Sequence, residues 1–179
     1  MNAVFSLLGM MVAMQTRAPG EGRSVVTEKM KALSFLVGEW EGTGSMQMGP
    51  GPKMNSKVKE SVQFRLSGSA LLVEGLGTAR VSESGPEQNV HEAIALITWD
   101  PKQNKYVMHA MTAKAGHVEP TLEVGDKSLV WSFDSGTGGK VRYTIKINDK
   151  GQWVEDGEFS QDGKTWIKFM EMTLDKKGS

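Results

Sequence analysis

From about residue 39 to the C-terminus, apolar and polar side chains alternate with a period of two, and turn residues interrupt the alternation at short intervals. Val58, Glu60, Val62, Phe64 and Leu66 alternate with Lys57, Lys59, Ser61, Gln63 and Arg65. Val141, Tyr143, Ile145 and Ile147 alternate with Arg142, Thr144, Lys146 and Asn148, and Leu129, Trp131 and Phe133 with Ser128, Val130 and Ser132. Successive side chains of a strand point to opposite faces, so the pattern predicts an antiparallel sheet with one dry face and one wet one. It places ten strands, at 39–48, 56–66, 69–81, 89–99, 105–113, 117–124, 127–134, 139–148, 152–160 and 165–174. In three of them, 69–81, 89–99 and 105–113, both parities are partly apolar, and the pattern does not choose the inward face.

The turns agree with this division. Gln161-Asp162-Gly163-Lys164 carries Asp-Gly between two strands, a strong short-range hairpin signal. Asn148-Asp149-Lys150-Gly151, Asp100-Pro101-Lys102-Gln103-Asn104 and Ser135-Gly136-Thr137-Gly138-Gly139 are turn-rich as well. Short connections between successive strands give an up-and-down meander. Closing it into a barrel removes exposed edges and leaves an interior that side chains need not fill. The expected fold is therefore all-β, a single up-and-down antiparallel β-barrel of about ten strands with a short N-terminal helical turn.

The beginning of the chain reads differently. Thr27 can cap a helical turn through Lys31 and Leu33, and Leu33 to Gly42 forms an apolar plug entering the first strand. Residues 19–24 are polar and Gly-rich, as a linker would be. Ala3 to Met14 is mostly apolar but too short for a bilayer, which needs roughly 20 residues. It fits the centre of a secretory signal, with Thr16-Arg17-Ala18 as a small-x-small exit, although no Lys or Arg precedes it. An amphipathic or disordered extension is the alternative, so export (periplasmic or secreted) and a cytoplasmic location both stay open. The organisation expected is residues 1–24 as signal-like segment and linker, then 25–176 as barrel.

Composition changes the picture only where partners are concerned. The 179 residues hold 21 Lys plus Arg against 21 Asp plus Glu, and this zero balance lacks the basic excess of nucleic-acid binders. With no cysteine, disulfides, thiolate metal sites and a thiol nucleophile are excluded. The twelve methionines include candidates for filling irregular interior gaps.

Phe35-Leu36-Val37-Gly38-Glu39-Trp40-Glu41-Gly42-Thr43-Gly44 resembles the opening of lipocalin-like, calycin-type barrels. It is similar in particular to a bacterial family of unknown function, and distantly to the haem-binding nitrobindins. Gly68 to Gly75, Trp99-Asp100-Pro101 with Tyr106, and Asp162 to Trp166 fit the same bacterial family, so the resemblance spans about residues 30 to 175. It implies a ligand container and leaves the contents open, since calycins share a fold and differ in function. Nitrobindins hold haem iron through a histidine late in the chain. The strands Trp153–Ser160 and Thr165–Leu174 contain none, which disfavours haem here.

The three histidines, His91, His109 and His117, suggest no shared metal site by register. Folding 89–99 against 105–113 sets Asp100 near Lys105 and His109 opposite Leu96. His91 and His117 approach one rim with Lys114 between them. Glu60 is of more interest, because it lies on the apolar parity of its strand, where an ionised carboxylate is costly without a partner. Folding 56–66 against 69–81 puts Glu60 beside Gly75 and next to Glu74. Either the two carboxyls share an environment, which would raise one pKa, or they face opposite ways. Trp40, Phe64, Tyr106, Met108, Trp131, Phe133, Tyr143, Phe169 and Met170 can line a cavity or simply pack a core. No phosphate loop, G-x-S-x-G or H-E-x-x-H motif is present.

The reading that follows is a binding module for a small apolar or amphipathic molecule, with Glu60, Phe64, Glu74, His109, Trp131, Tyr143 and Met170 as ligand-binding residues. No catalytic or metal residue is assigned, and the cofactor is unknown. Its rivals are a calycin-type enzyme using the carboxyls as acid and base, a haem protein, and a packed barrel that binds another protein.

Overall fold

A period-two sequence with one apolar parity must bury that parity, and the computed structural model shows how. It describes residues 19–178 except 81, 83, 115 and 137, and no side chain of 19–24. The signal-like segment Ala3–Met14 and the exit site Thr16-Arg17-Ala18 lie outside the described residues.

Helix α1 (Pro19–Met30) leads through a 3-10 turn (Lys31–Leu36) into eleven strands. These are β1 (Gly38–Met46), β2 (Met54–Arg65), β3 (Ala70–Arg80), β4 (Glu87–Asp100), β5 (Lys105–Thr112) and β6 (His117–Val118). They continue with β7 (Thr121–Gly125), β8 (Ser128–Asp134), β9 (Lys140–Ile147), β10 (Trp153–Ser160) and β11 (Ile167–Lys176). All lie in one antiparallel sheet of order β6-β5-β4-β3-β2-β1-β11-β10-β9-β8-β7, curled into a half-barrel. Every neighbour is also a neighbour in sequence except β1 and β11, the first and last strands, which pair from Trp40↔Lys176 to Met46↔Met170.

The count is eleven because the strand expected at 117–124 is two strands. Pro120 has no N–H to give a ladder and biases the residue before it, so pairing stops at Val118 and resumes at Thr121. β6 and β7 thus end the ladder on either side of Pro120, and β5 lies beside β7 across this seam.

Helix α1 extends back through the stretch expected to be a linker, and Thr27 lies inside it instead of at its cap. The helix is held by its contacts. Met30 at its end is fully buried, as is Leu33 in the turn that follows, the Tyr106 hydroxyl donates to the Lys29 carbonyl at 2.8 Å, and the Lys29 ammonium stands 4.8 Å over the Trp99 ring. A short helix gains most of its stability from such docking.

The 3-10 turn carries Leu36 into the barrel under Trp40, whose indole N–H donates to the Leu36 carbonyl at 2.8 Å. Trp40 is 2% exposed and meets Trp153 edge-on at 5.7 Å. Around them Val62, Leu71, Ile97, Leu129 and Leu174 form a packed floor. Trp40→Ala is expected to lower unfolding free energy by about 3–5 kcal/mol, the usual cost of emptying a buried aromatic site. Denaturant titration checks this, and a shift below about 1 kcal/mol would contradict the role given to the ring.

Candidate ligand-binding site

Beyond that floor the side chains stop meeting, and a cavity of about 380 Å³ opens inside the half-barrel. Leu36, Ile97, Met108, Leu129, Ile145 and Trp153 belong to both the core and the cavity wall, so they form its deep end. Met46, Met54, His91, Thr112, Gly116 and His117, near the opposite strand ends, line it as well and form its mouth. The wall is mostly apolar. Its titratable groups, among the described residues, are Glu60, Tyr143, Glu155, His91 and His117.

Two glycines make room for these groups. Gly75 is the ladder partner of Glu60, and a Cβ there would fall 2.7 Å and 2.9 Å from the two Glu60 carboxyl oxygens. Gly157 is the partner of Tyr143, and its Cβ would lie 2.9 Å from the Tyr143 ring and 3.0 Å from Met170 Cβ. Next to Gly157 the register of β10 on β11 shifts, leaving Phe169 unpaired, and its ring turns edge-on to Tyr143 at 5.8 Å. Bulges of this kind re-aim side chains beside sites. On the other side, the cross-strand pair Trp131↔Tyr143 stacks at 4.1 Å and Phe133 continues the stack at 5.8 Å.

Glu155 is 8% exposed, and the Trp153 indole N–H donates to it at 3.2 Å. Burial pushes its carboxyl up to about 7, against the pull of the Trp153 and Trp131 indoles. Glu60 is raised well above the carboxylate range by burial first and by the Glu155 charge second. The Tyr143 hydroxyl is pushed up to about 12 by burial and by Glu155. At the mouth, loss of hydration and the Lys114 charge lower His91. No lysine or arginine is found among the described residues lining the cavity.

Glu60, Trp131, Tyr143 and Met170 line the cavity. Phe64 shares their inward face but packs against the core instead. Glu74 is exposed on the outer face, so the two carboxyls of that hairpin face opposite ways and Glu74 is no cavity residue. His109 also misses the cavity. Its Nδ1 lies 3.2 Å from Glu119, its ring stacks on His117 at 6.2 Å, and the three potential ligand atoms gather within 4.8 Å. His91 and His117, expected to approach one rim, both line the mouth. The stacked pair is His109 with His117, because β6 folds back on β5 through Met111↔His117.

Sequence reasoning missed Glu155. Its strand reads Trp-Val-Glu-Asp-Gly-Glu-Phe-Ser, with acids on both parities, and only Trp153 and Phe159 mark the parity that turns inward. Glu60 has Glu155, not Glu74, for its acidic neighbour.

The family described as "Protein of unknown function (DUF1579)" matches residues 26–176. The chain belongs to this family. A solved structure, Rv2717c from M. tuberculosis, is similar at a TM-score of 0.59 and 11% identity, over 83% of this chain and 96% of that one. The S-type phycobiliprotein lyase CPES from Guillardia theta is similar at 0.55 and 10% identity, over 86% of this chain and 94% of that one. At these identities the likeness shows the fold, which accords with the lipocalin-like barrel expected from the Phe35–Gly44 run. No curated protein matches the chain.

Glu155 has a reference pKa of 4.5 and a folded value of about 7, so between them the folded protein holds a proton that the unfolded chain has lost. Stability therefore falls as pH rises through that window and levels off above it, and the raised Glu60 adds to the same trend. Glu155→Gln is expected to be more stable than the wild type at pH 8, by about 1–3 kcal/mol. The gap should shrink toward pH 4.5. Urea titrations at both ends of the range check this, and a gap that does not change with pH would refute it.

Proposed function

We propose that this protein binds one small apolar or amphipathic molecule in the half-barrel. The observation that carries the reading is the cavity itself, apolar along its wall and supplied with Glu60, Glu155 and Tyr143 as polar groups. About 380 Å³ lies toward the lower end of the 300–1,000 Å³ found for small-molecule sites. Trp131, Phe133 and Met170 would supply contact area, while the two acids and the Tyr143 hydroxyl would orient a polar end. A fold neighbour named as a phycobiliprotein lyase is compatible with a barrel that receives a guest.

One observation favours a second reading. A general acid or base works best with a pKa near ambient pH, and Glu155 at about 7 inside a cavity meets that condition. The two readings separate on whether a guest leaves chemically changed. The haem reading gains nothing comparable, since His109 lies outside the cavity and His91 and His117 stand at its mouth.

Ala93 lies on the cavity wall, in register with Gly75 and through it with Glu60. The uncharged fluorophore N-phenyl-1-naphthylamine is expected to bind one per chain with a blue-shifted, enhanced emission. Ala93→Trp should abolish that binding while the unfolding midpoint shows that the barrel persists. Equal affinity in the two proteins would remove the cavity from the account. Native mass spectrometry of protein from its own source should show a retained mass that departs on denaturation, and its conversion on incubation would favour the enzyme.

A further inference from the structure

Glu60 and Glu155 present two carboxyls to one apolar cavity, and no described residue lining it supplies a cation to either. The contrast with the outer face is sharp. There Lys57 meets Glu87 at 3.1 Å, Arg142 meets Glu158 at 2.7 Å and Lys168 meets Asp156 at 2.6 Å. Glu41 lies between Lys59 and Lys177. The inner pair has no basic partner among the described residues: Glu155 accepts from the indole N–H of Trp153, a neutral donor, although a buried carboxylate without a counter-charge is costly. Burial and the Glu155 charge act on Glu60 with no hydrogen bond from a described residue to offset them, and Gly75 is kept bare so that its carboxyl fits.

We propose that the guest is an organic cation, a hydrophobic amine whose ammonium group lies between the carboxyls of Glu60 and Glu155 and against the stacked rings of Trp131 and Tyr143. This rests on the binding reading above and names the chemical class of its ligand. An ammonium has three donors and no acceptor, so a single group can serve two carboxylates at once. Aromatic faces attract such a cation, and the attraction grows when water is excluded. The apolar remainder of the cavity, from Leu129 and Ile145 to Met170, would take the hydrocarbon part. A guest carboxylate would add a third negative group to the same space, and an alcohol would bring one donor where the site asks for two.

Charge balance makes the idea directly testable. Both acids hold protons more tightly than free carboxyls do, so an arriving ammonium must release protons from them, and affinity must rise with pH. Among the described residues, the titratable groups facing the cavity are Glu60 on β2, His91 on β4, His117 on β6, Tyr143 on β9 and Glu155 on β10. Asp156, next in the chain, raises Glu155 further. Protonation of His91 at low pH would repel a cation, which acts in the same direction as the acids.

The experiment compares n-octylamine, 1-octanol and octanoate as competitors of N-phenyl-1-naphthylamine, at pH 5 and pH 8, with the full chain. Octylamine is expected to bind at least about tenfold more tightly than octanol at pH 8, with octanoate weakest. Linkage allows up to about tenfold per pH unit for each proton released, so most of the preference should vanish at pH 5. In the double variant Glu60→Gln and Glu155→Gln the preference should be lost, while retained fluorophore binding shows that the cavity is intact. Octanol equal to or tighter than octylamine at pH 8, or a preference that survives in the double variant, would overturn the cation assignment and leave the binding reading standing. Failure of the fluorophore and of all three competitors to bind the wild type would overturn both.

Discussion

The hydrogen bond from the Trp40 indole to the Leu36 carbonyl is the contact on which the rest of the architecture turns. It lets the polar edge of a large ring be fully buried, and so lets that ring sit at the end of a barrel that would otherwise open at both ends. The 3-10 turn, the first strand and, through Trp153, the tenth strand meet on it. Below this level the inward side chains interlock as in any core. Above it they do not, and a hollow remains. The boundary between the two regimes is one aromatic pair.

The hollow half follows a different physical logic. A dry wall would ordinarily carry no ionisable group, yet two carboxyls and a phenol stand in it, each displaced from its ordinary titration range chiefly by loss of water. Their mutual effect compounds the displacement, since the Glu155 charge bears on both Glu60 and Tyr143. Stability that could have come from apolar residues at these positions is given up. Groups retained against that penalty are where function is sought first.

Much of this was legible from the pattern of side chains. The alternation located the strands to within a few residues. The pairings Asp100↔Lys105, Leu96↔His109 and Glu60↔Gly75 follow from turn positions alone and are those observed. Glu60 was conspicuous because it broke an apolar parity. Three things escaped. Helix α1 is held by contacts with Tyr106 and Trp99, distant in sequence, and its own residues carry little amphipathic signal. The break at Pro120 depends on a ladder partner, not on periodicity. Glu155 sits in a strand with acids on both faces, so its inward turn is decided by Trp153 packing on Trp40, a contact between strands far apart in the chain.

Gly75 and Gly157 hold open the space occupied by Glu60 and Tyr143, so the interior is shaped as much by missing atoms as by present ones. A cavity defined this way can be redrawn one methyl at a time, without a change in strand register or floor. Proteins of this architecture can therefore drift among guests of different size and polarity while their exteriors and topologies stay the same. Similarity of backbone within such a lineage will then say little about similarity of cargo, and the small residues on the inner face are where divergence should be looked for.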